Sequence, residues 1–215
     1  MRVLSGGTEI VDPEVFKQRA AELIGVGHFC FSRGWLPATS GNLSARLDAN
    51  RIAITVSGRH KGELDASGIM AMDVDGTVLS ADCRPSAETE LHLMLYRRDP
   101  TIGAVLHTHS VNATVLSRLA GDALILSDYE VLKALPGIET HATRLALPVF
   151  ANDQDIARLA LEVERILERT PDLPGYLIAG HGLYTWGSNV ADARRRIEAF
   201  EFLLECETLM RSITR

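Results

Sequence analysis

Apolar residues recur at helical spacing in several stretches of the chain. The first stretch follows Asp12 and Pro13, a capping side chain and a proline that suit the start of a helix. Phe16 and Leu23 lie on the apolar face of that helix, and Gly34 marks its predicted end. Further helices are predicted over residues 85–98, with Ser86 as N-cap, and over residues 111–119, 153–168 and 189–210.

Short apolar or alternating segments between these helices predict strands. Two hairpins are predicted, over residues 43–56 and 69–79, and single strands over residues 102–106, 123–126, 144–148, 176–179 and 183–186. Strands and helices alternate without a repeat or a linker, which favours one α/β domain spanning residues 1–215, with residues 1–11 as a candidate flexible segment. The hairpins favour a mainly antiparallel sheet.

Composition and charge narrow the classes of function. The 215 residues carry a formal net charge of −6, which argues against nucleic acid as a partner. No apolar run is long enough to span a membrane. The three cysteines are widely spaced and odd in number, so we expect no disulfide framework and a reducing cytoplasm.

Three histidines form the strongest candidate for chemistry. His107 and His109 follow an apolar run, and side chains two residues apart on a strand point to the same face. His181 follows a second run of the same form, at residues 176–180. Three histidines with one open position make a catalytic zinc site, although Fe, Ni, Co or Cu also accept imidazole. The alternative is that each is an ordinary core or surface histidine.

Three polar loops are candidates for binding a phosphate. Each places hydroxyls or small residues at the end of an element, and glycine lets backbone N–H groups approach an anion closely. Lys61 or Arg59 would supply positive charge. The alternative is that these loops are ordinary turns, since Ser, Gly and Asn are common turn residues. No nucleotide-binding glycine motif is present in the sequence. The three loops contain Ser40, Gly41 and Asn42, then Ser57 and Gly58, then Ser86 and Ala87.

Together these motifs resemble the class II (zinc-dependent) sugar-phosphate aldolase family. The motifs that carry the resemblance occur in order over nearly the whole chain, at residues 40–44, 55–58, 85–88, 107–110 and 181–182. The resemblance implies a single-domain α/β/α layered fold of the class II aldolase type, with a mainly antiparallel central sheet flanked by helices. It also implies a cyclic homotetramer with active sites at subunit interfaces.

The resemblance assigns roles to individual residues. It makes His107, His109 and His181 the ligands of one Zn²⁺ per subunit. Glu130 matches the acid/base glutamate of the family's dehydratases. Glu88 matches an aldolase glutamate that is either a ligand of the resting metal or a base. Ala87 stands where the aldolases have a serine, so one hydroxyl is missing while its backbone N–H remains. The phosphate-binding positions are Gly41, Asn42, Ser57, Gly58, Ser86 and Ala87, with Lys61 as the candidate cation.

Within the family, residues 57–62, 129–133 and 181–187 resemble the dehydratases of methionine salvage. These enzymes remove water from a phosphorylated ketose that carries a methylthio group, by way of a zinc-bound enediolate. One alternative is an aldolase or 4-epimerase acting on a sugar phosphate of the fuculose or ribulose type. Another is a non-catalytic scaffold that binds metal. For Glu130 taken alone, the alternative is a solvated charge in the first turn of a helix, and Asp128 is an equal candidate base.

Overall fold

The computed structural model describes residues 11–213, which build one eight-stranded sheet with helices on both faces. The predicted flexible segment, residues 1–11, lies outside the described residues except for Val11, which is buried. The helices are α1 (Pro13–Ser32), α2 (Thr89–Arg98), α3 (Val111–Leu119), α4 (Ile156–Arg169) and α5 (Val190–Ile213). Short 3-10 helices lie at Lys61–Glu63, Ala66–Gly68 and Glu130–Ala134. The strands are β1 (Asn42–Arg46), β2 (Arg51–Thr55), β3 (Ile69–Asp73), β4 (Ala104–Thr108), β5 (Ala123–Ser127), β6 (Arg144–Phe150), β7 (Gly175–Ile178) and β8 (Gly182–Gly187).

The sheet has the strand order β3-β2-β1-β4-β8-β7-β6-β5. Every neighbouring pair is antiparallel except β6 and β7, so the predicted mainly antiparallel sheet is confirmed. β4 lies in the interior of the sheet between β1 and β8. In this register His107 faces Asn42 on β1 and Tyr184 on β8, which brings three sequence-distant polar residues to one end of the sheet.

The two faces of β4 pack against different helices. Leu106 belongs to a core shared with α1, α3 and α5, which includes Leu23 and Phe200. Val105 belongs to a second core shared with α2 and α4, which includes Leu91 and Val163. Burial of both strand faces follows from the continuous apolar run, and it gives the three-layer α/β/α arrangement that the resemblance implied.

Several predicted element boundaries are wrong. The strand predicted over residues 102–106 lies two residues later, at Ala104–Thr108, and so includes His107. α2 begins at Thr89, with Glu88 rather than Ser86 in the cap position, because residues 86–89 form a turn that directs Glu88 toward the histidines. α4 begins at Ile156 behind an Asp155 cap, three residues later than expected. Residues 77–79 pair with β3 by a single bridge, between Met72 and Val78, and form no strand.

None of the helices among the described residues is both long and apolar enough to cross a membrane. The extent of the domain over residues 1–215 stays a prediction.

Candidate metal centre

Four side chains from three separated segments converge at one end of the sheet. They are His107 at the end of β4, His109 just beyond it, His181 in the β7–β8 turn, and Glu88 just before α2. One ligand atom from each lies within 4.8 Å of the others. The structure therefore brings the three sequence-predicted histidines together and adds a carboxylate to them.

His107 is held in one orientation by two contacts. Its Nδ1–H donates to the carbonyl oxygen of Leu183 at 2.9 Å, which leaves Nε2 as the nitrogen that faces the cluster. Its ring stacks on Tyr184 with centroids 3.9 Å apart and planes inclined by 12°. An imidazole that donates one N–H to a carbonyl presents the lone pair of its other nitrogen to a metal.

His109 and His181 are placed by backbone hydrogen bonds. The N–H of His109 donates to the carbonyl of Trp35 at 2.8 Å, beyond the last residue of β4. Gly180 adopts a φ of +65°, and the resulting turn is closed by the N–H of His181 donating to Ile178. The rings of His109 and His181 lie 4.4 Å apart between centroids. The turn thus directs the late histidine toward the early pair.

Glu88 connects the histidines to β1. Its Oε1 lies 2.8 Å from Nε2 of His181, and its Oε2 accepts from Nδ2 of Asn42 at 2.5 Å and lies 3.6 Å from Nε2 of His107. Burial raises the pKa of Glu88, but the interaction with His181, chiefly its hydrogen bond, outweighs burial and holds this pKa below its usual value. Glu88 is therefore a carboxylate in the cluster.

The surroundings of His107 and His109 favour the neutral forms of these two imidazoles. Burial, with the neighbouring histidines, lowers the pKa of His107 well below its usual value, and burial together with His181 lowers the pKa of His109 to about 4. Nε2 of His109 and Nδ1 of His181 are buried and make no hydrogen bond to the described residues. Neutral imidazole nitrogens and a carboxylate are the donors that a divalent transition metal takes, so these residues fit such an ion.

The three predicted phosphate loops lie next to one another. Buried Lys61 donates from Nζ to the carbonyl of Thr39 at 2.8 Å and to that of Arg59 at 2.9 Å, which joins the first loop to the second. The N–H of Ser57 donates to the carbonyl of Arg84 at 3.0 Å, which joins the second loop to the third. Burial lowers the pKa of Lys61 to about 8, although Glu88 opposes this. The loops thus form one continuous rim beside Glu88.

The two loop glycines have a backbone conformation that glycine favours, whereas Ser86 does not have its predicted role. Gly41 and Gly58 have φ values of +78° and +75°, which glycine adopts without strain. A Cβ on Gly41 would lie 2.7 Å from the carbonyl oxygen of His107, so this loop is in direct contact with β4. Ser86 does not cap α2; its Oγ accepts from the N–H of Glu88 at 3.3 Å, and Ala87 is exposed.

Glu130 is not part of the four-residue cluster within this chain. It is the first residue of the 3-10 helix Glu130–Ala134, its side chain is 69% exposed, and it pairs with Lys133 and with His141 at 3.8 Å. The hydrogen bond from Lys133 lowers the pKa of Glu130. The role predicted for Glu130 stays a prediction.

The sequence pattern missed two residues that surround the cluster. Tyr184 provides the ring against which His107 stacks. Glu201 on α5 is buried and accepts from Thr108 Oγ1 at 2.8 Å, behind the strand that bears His107. A signal for Glu201 was present, because it follows Ile197 by four residues and so falls on the apolar face of α5.

Comparisons with known proteins agree with this geometry. The chain is 57% identical over 200 residues to methylthioribulose-1-phosphate dehydratase of Pseudomonas paraeruginosa, covering 93% of this chain and 98% of that protein. It is 58% identical over 200 residues, with the same coverage, to the protein of that name in Methylococcus capsulatus. Among solved structures, an L-fuculose 1-phosphate aldolase superposes with a TM-score of 0.77 at 25% identity, covering 92% of this chain and 88% of that one.

A family model described as Class II Aldolase and Adducin N-terminal domain matches residues 21–208. That match covers all four residues of the cluster and the three loops, and it confirms the resemblance inferred from the motifs. The chain therefore belongs to the class II aldolase family.

Proposed function

We propose that this protein is a metal-dependent hydro-lyase that removes water from 5-methylthioribulose 1-phosphate and forms 2,3-diketo-5-methylthiopentyl 1-phosphate, a step of methionine salvage. Relatives that carry this dehydratase name are 57–58% identical over almost their whole length. The observation that carries the proposal is the cluster of three histidines and Glu88, whose ligand atoms lie within 4.8 Å of one another.

The metal that suits this chemistry is Zn²⁺, one per subunit. His107, His109 and His181 would hold it, and Glu88 either completes the coordination or acts as a base once substrate is present. A bound Zn²⁺ supplies Lewis acidity, which polarises the ketone oxygen and favours the negative charge that develops next to it. The stacking of His107 on Tyr184 and its hydrogen bond to Leu183 fix this nitrogen donor in advance.

The rim of three loops would bind the substrate phosphate. Backbone N–H groups at Gly41, Gly58 and Ala87 can approach an anion closely, because their side chains are small or absent. Hydroxyls of Ser57 and Ser86 would add further donors. The buried ammonium of Lys61 supplies positive charge, and Asn42 of the first loop donates a hydrogen bond to Glu88. Phosphate held here would bring the ketone end of the substrate toward the histidines.

Glu130 is the residue that would move the proton. A carboxylate oxygen of Glu130 takes the hydrogen of C3 as a proton and gives a proton to the C4 hydroxyl, which leaves as water. The ion pair with Lys133 favours the carboxylate form that the first step requires. The enol that remains after loss of water tautomerises to the diketone.

The exposed position of Glu130 suits a site completed by a neighbouring subunit of a homotetramer. Val111, Val115 and Leu119 form an exposed apolar stripe on α3, which begins two residues after His109. Such a stripe is typical of a surface that is covered by a partner. We place the enzyme in the cytoplasm, in keeping with its three free cysteines.

Product analysis tests the reaction. Purified protein loaded with Zn²⁺ is incubated with 5-methylthioribulose 1-phosphate, and we expect the absorbance of the diketone without fragments of two or three carbons. Dihydroxyacetone phosphate and an aldehyde would instead indicate an aldolase, and an epimerised ketose phosphate a 4-epimerase. Absence of any product would favour a metal-binding scaffold.

The H107A variant tests the metal requirement. We expect it to lose both bound zinc and turnover, whereas H28A should lose neither, because His28 lies on α1 and hydrogen-bonds Leu64 outside the cluster. Metal content is measured by elemental analysis alongside the rate. Turnover that persists in H107A without bound metal would refute the proposed chemistry.

A further inference from the structure

A carboxylic acid is buried behind the strand that carries the metal-site histidines. Glu201 of α5 is 1% exposed, and its Oε1 accepts from Oγ1 of Thr108 at 2.8 Å. The side chain of Ser110 lies close enough to this carboxyl to lower its pKa. Oε2 makes no hydrogen bond to any residue that the structure describes. The titratable groups that interact electrostatically with this acid are Glu205 and the thiol of Cys30.

The two hydroxyls that contact Glu201 lie on either side of His109. Thr108 is the last residue of β4, and its buried side chain reaches the α5 side of the sheet, opposite the histidine cluster. Ser110 is the N-cap of α3, and its Oγ accepts from the N–H of Ala113 at 3.0 Å. The segment that bears His109 is therefore hydrogen-bonded to α5 through Thr108, and Ser110 on its other side lies near the same carboxyl.

We propose that Glu201 is a positioning residue for the metal centre: its carboxyl holds Thr108 and Ser110 from behind the sheet and so fixes His109 where it can coordinate. This inference rests on the proposed metal centre. The inference adds to that centre a supporting acid that contacts neither the metal nor the substrate.

The composition of α5 argues against a purely space-filling role for Glu201. Its neighbours on the buried face, Ile197, Phe200 and Leu204, are all apolar and fully buried. A leucine at position 201 would suffice for packing, and an acid is costly to bury without good partners. Burial raises the pKa of Glu201 to about 7, so the acid carries a proton much of the time and then acts through Oε1, which accepts from Thr108.

Two pairs of variants separate positioning from simple stabilisation. E201Q keeps an acceptor oxygen for the Thr108 hydroxyl, whereas E201L removes this acceptor at similar volume. T108V removes the hydroxyl that donates to Glu201. T185V is its matched control, because Thr185 on adjacent β8 is equally buried and its hydroxyl donates to the carbonyl of Pro174 at 2.6 Å.

The measurement is metal affinity and geometry in the intact protein. Zinc affinity is determined by competition with a chelator, and the visible absorption of the Co²⁺-loaded protein reports the arrangement of the ligands. We expect E201L and T108V to bind zinc about tenfold more weakly and to alter the Co²⁺ spectrum, which is the size of effect typical of residues that orient metal ligands. E201Q and T185V should match the wild type in both measurements. If E201L does not fold, T108V against T185V decides the question.

Two other outcomes have separate meanings. E201L or T108V with the affinity and spectrum of T185V would overturn the inference while leaving the metal centre intact. Wild-type protein that binds no zinc, or that binds it as well after the change H109A, would overturn both the metal centre and the role of Glu201.

Discussion

The buried acid on α5 predicts a pH dependence of stability that one substitution should remove. Burial raises the pKa of Glu201 from 4.5 to about 7, so the folded protein holds this proton more tightly than the unfolded chain does. The stabilising contribution is therefore fully present below about pH 4.5 and is lost as the pH rises through about 7. Since each tenfold change in proton affinity corresponds to about 1.4 kcal/mol, the whole change amounts to about 3 kcal/mol.

The assay compares E201Q with the wild type in metal-free protein. Glutamine has the shape of the protonated acid but does not titrate, so its contribution is independent of pH. Unfolding in urea, followed by circular dichroism at pH 5 and at pH 8, gives the free energy of unfolding of both proteins. Subtracting one protein from the other cancels the titration of groups that do not interact with position 201.

We expect E201Q to gain about 2.5 kcal/mol relative to the wild type between pH 5 and pH 8, because the rest of the change has already occurred below pH 5. The direction follows from the wild type losing stability as Glu201 is forced to ionise. A difference between the two proteins that stays constant over this range would show that Glu201 titrates normally, and the account of its burial would then be wrong.

Three further variants test the sheet and the site. A Cβ at Gly182 would lie 1.9 Å from the carbonyl oxygen of Thr108, so G182A should lose about 3 kcal/mol of stability or more and fall in melting temperature, whereas G25A, where a Cβ meets nothing within 4 Å, should not. E130Q should lower kcat by about 10²-fold or more with unchanged zinc affinity, because the substitution removes a base and no metal ligand. An unchanged kcat would exclude Glu130 as the base. K61M should raise KM for the phosphorylated substrate and weaken the dependence of KM on salt; equal KM values would argue that this ammonium only ties loops together.

The histidine pair could be predicted from local sequence because strand geometry is local. Apolar residues 104–106 predict a buried strand, and the two-residue period then places His107 and His109 together. His181 could be predicted by the same form of run, although only the pairing of β4 with β8 brings it to the cluster. Periodicity alone does not predict that His181 lies near the other two histidines. That prediction came from the motifs that resemble the class II aldolases.

The positions of Glu88 and Glu130 could not be predicted from local sequence patterns. The Pro85–Ser86 pair resembles a helix start, but the chain turns once more before α2 because Glu88 is drawn to His181 and Asn42. Those partners are distant in sequence, so the residues next to Glu88 do not predict the extra turn before α2. The role proposed for Glu130 requires a neighbouring subunit, and the periodicity of one chain carries no information about such an arrangement.

The interior position of β4 has a consequence for how a metal ion bound at the proposed centre would be released. β4 is hydrogen-bonded to β1 on one edge and to β8 on the other, and both of its faces are covered by helices. Amide groups in such a strand are expected to exchange with solvent deuterium only through the largest opening events, and we expect the turn that holds His181 and the turn before α2 to open more readily. Escape of the ion should therefore begin with brief excursions of these two turns, while His107 remains in place until the whole sheet comes apart.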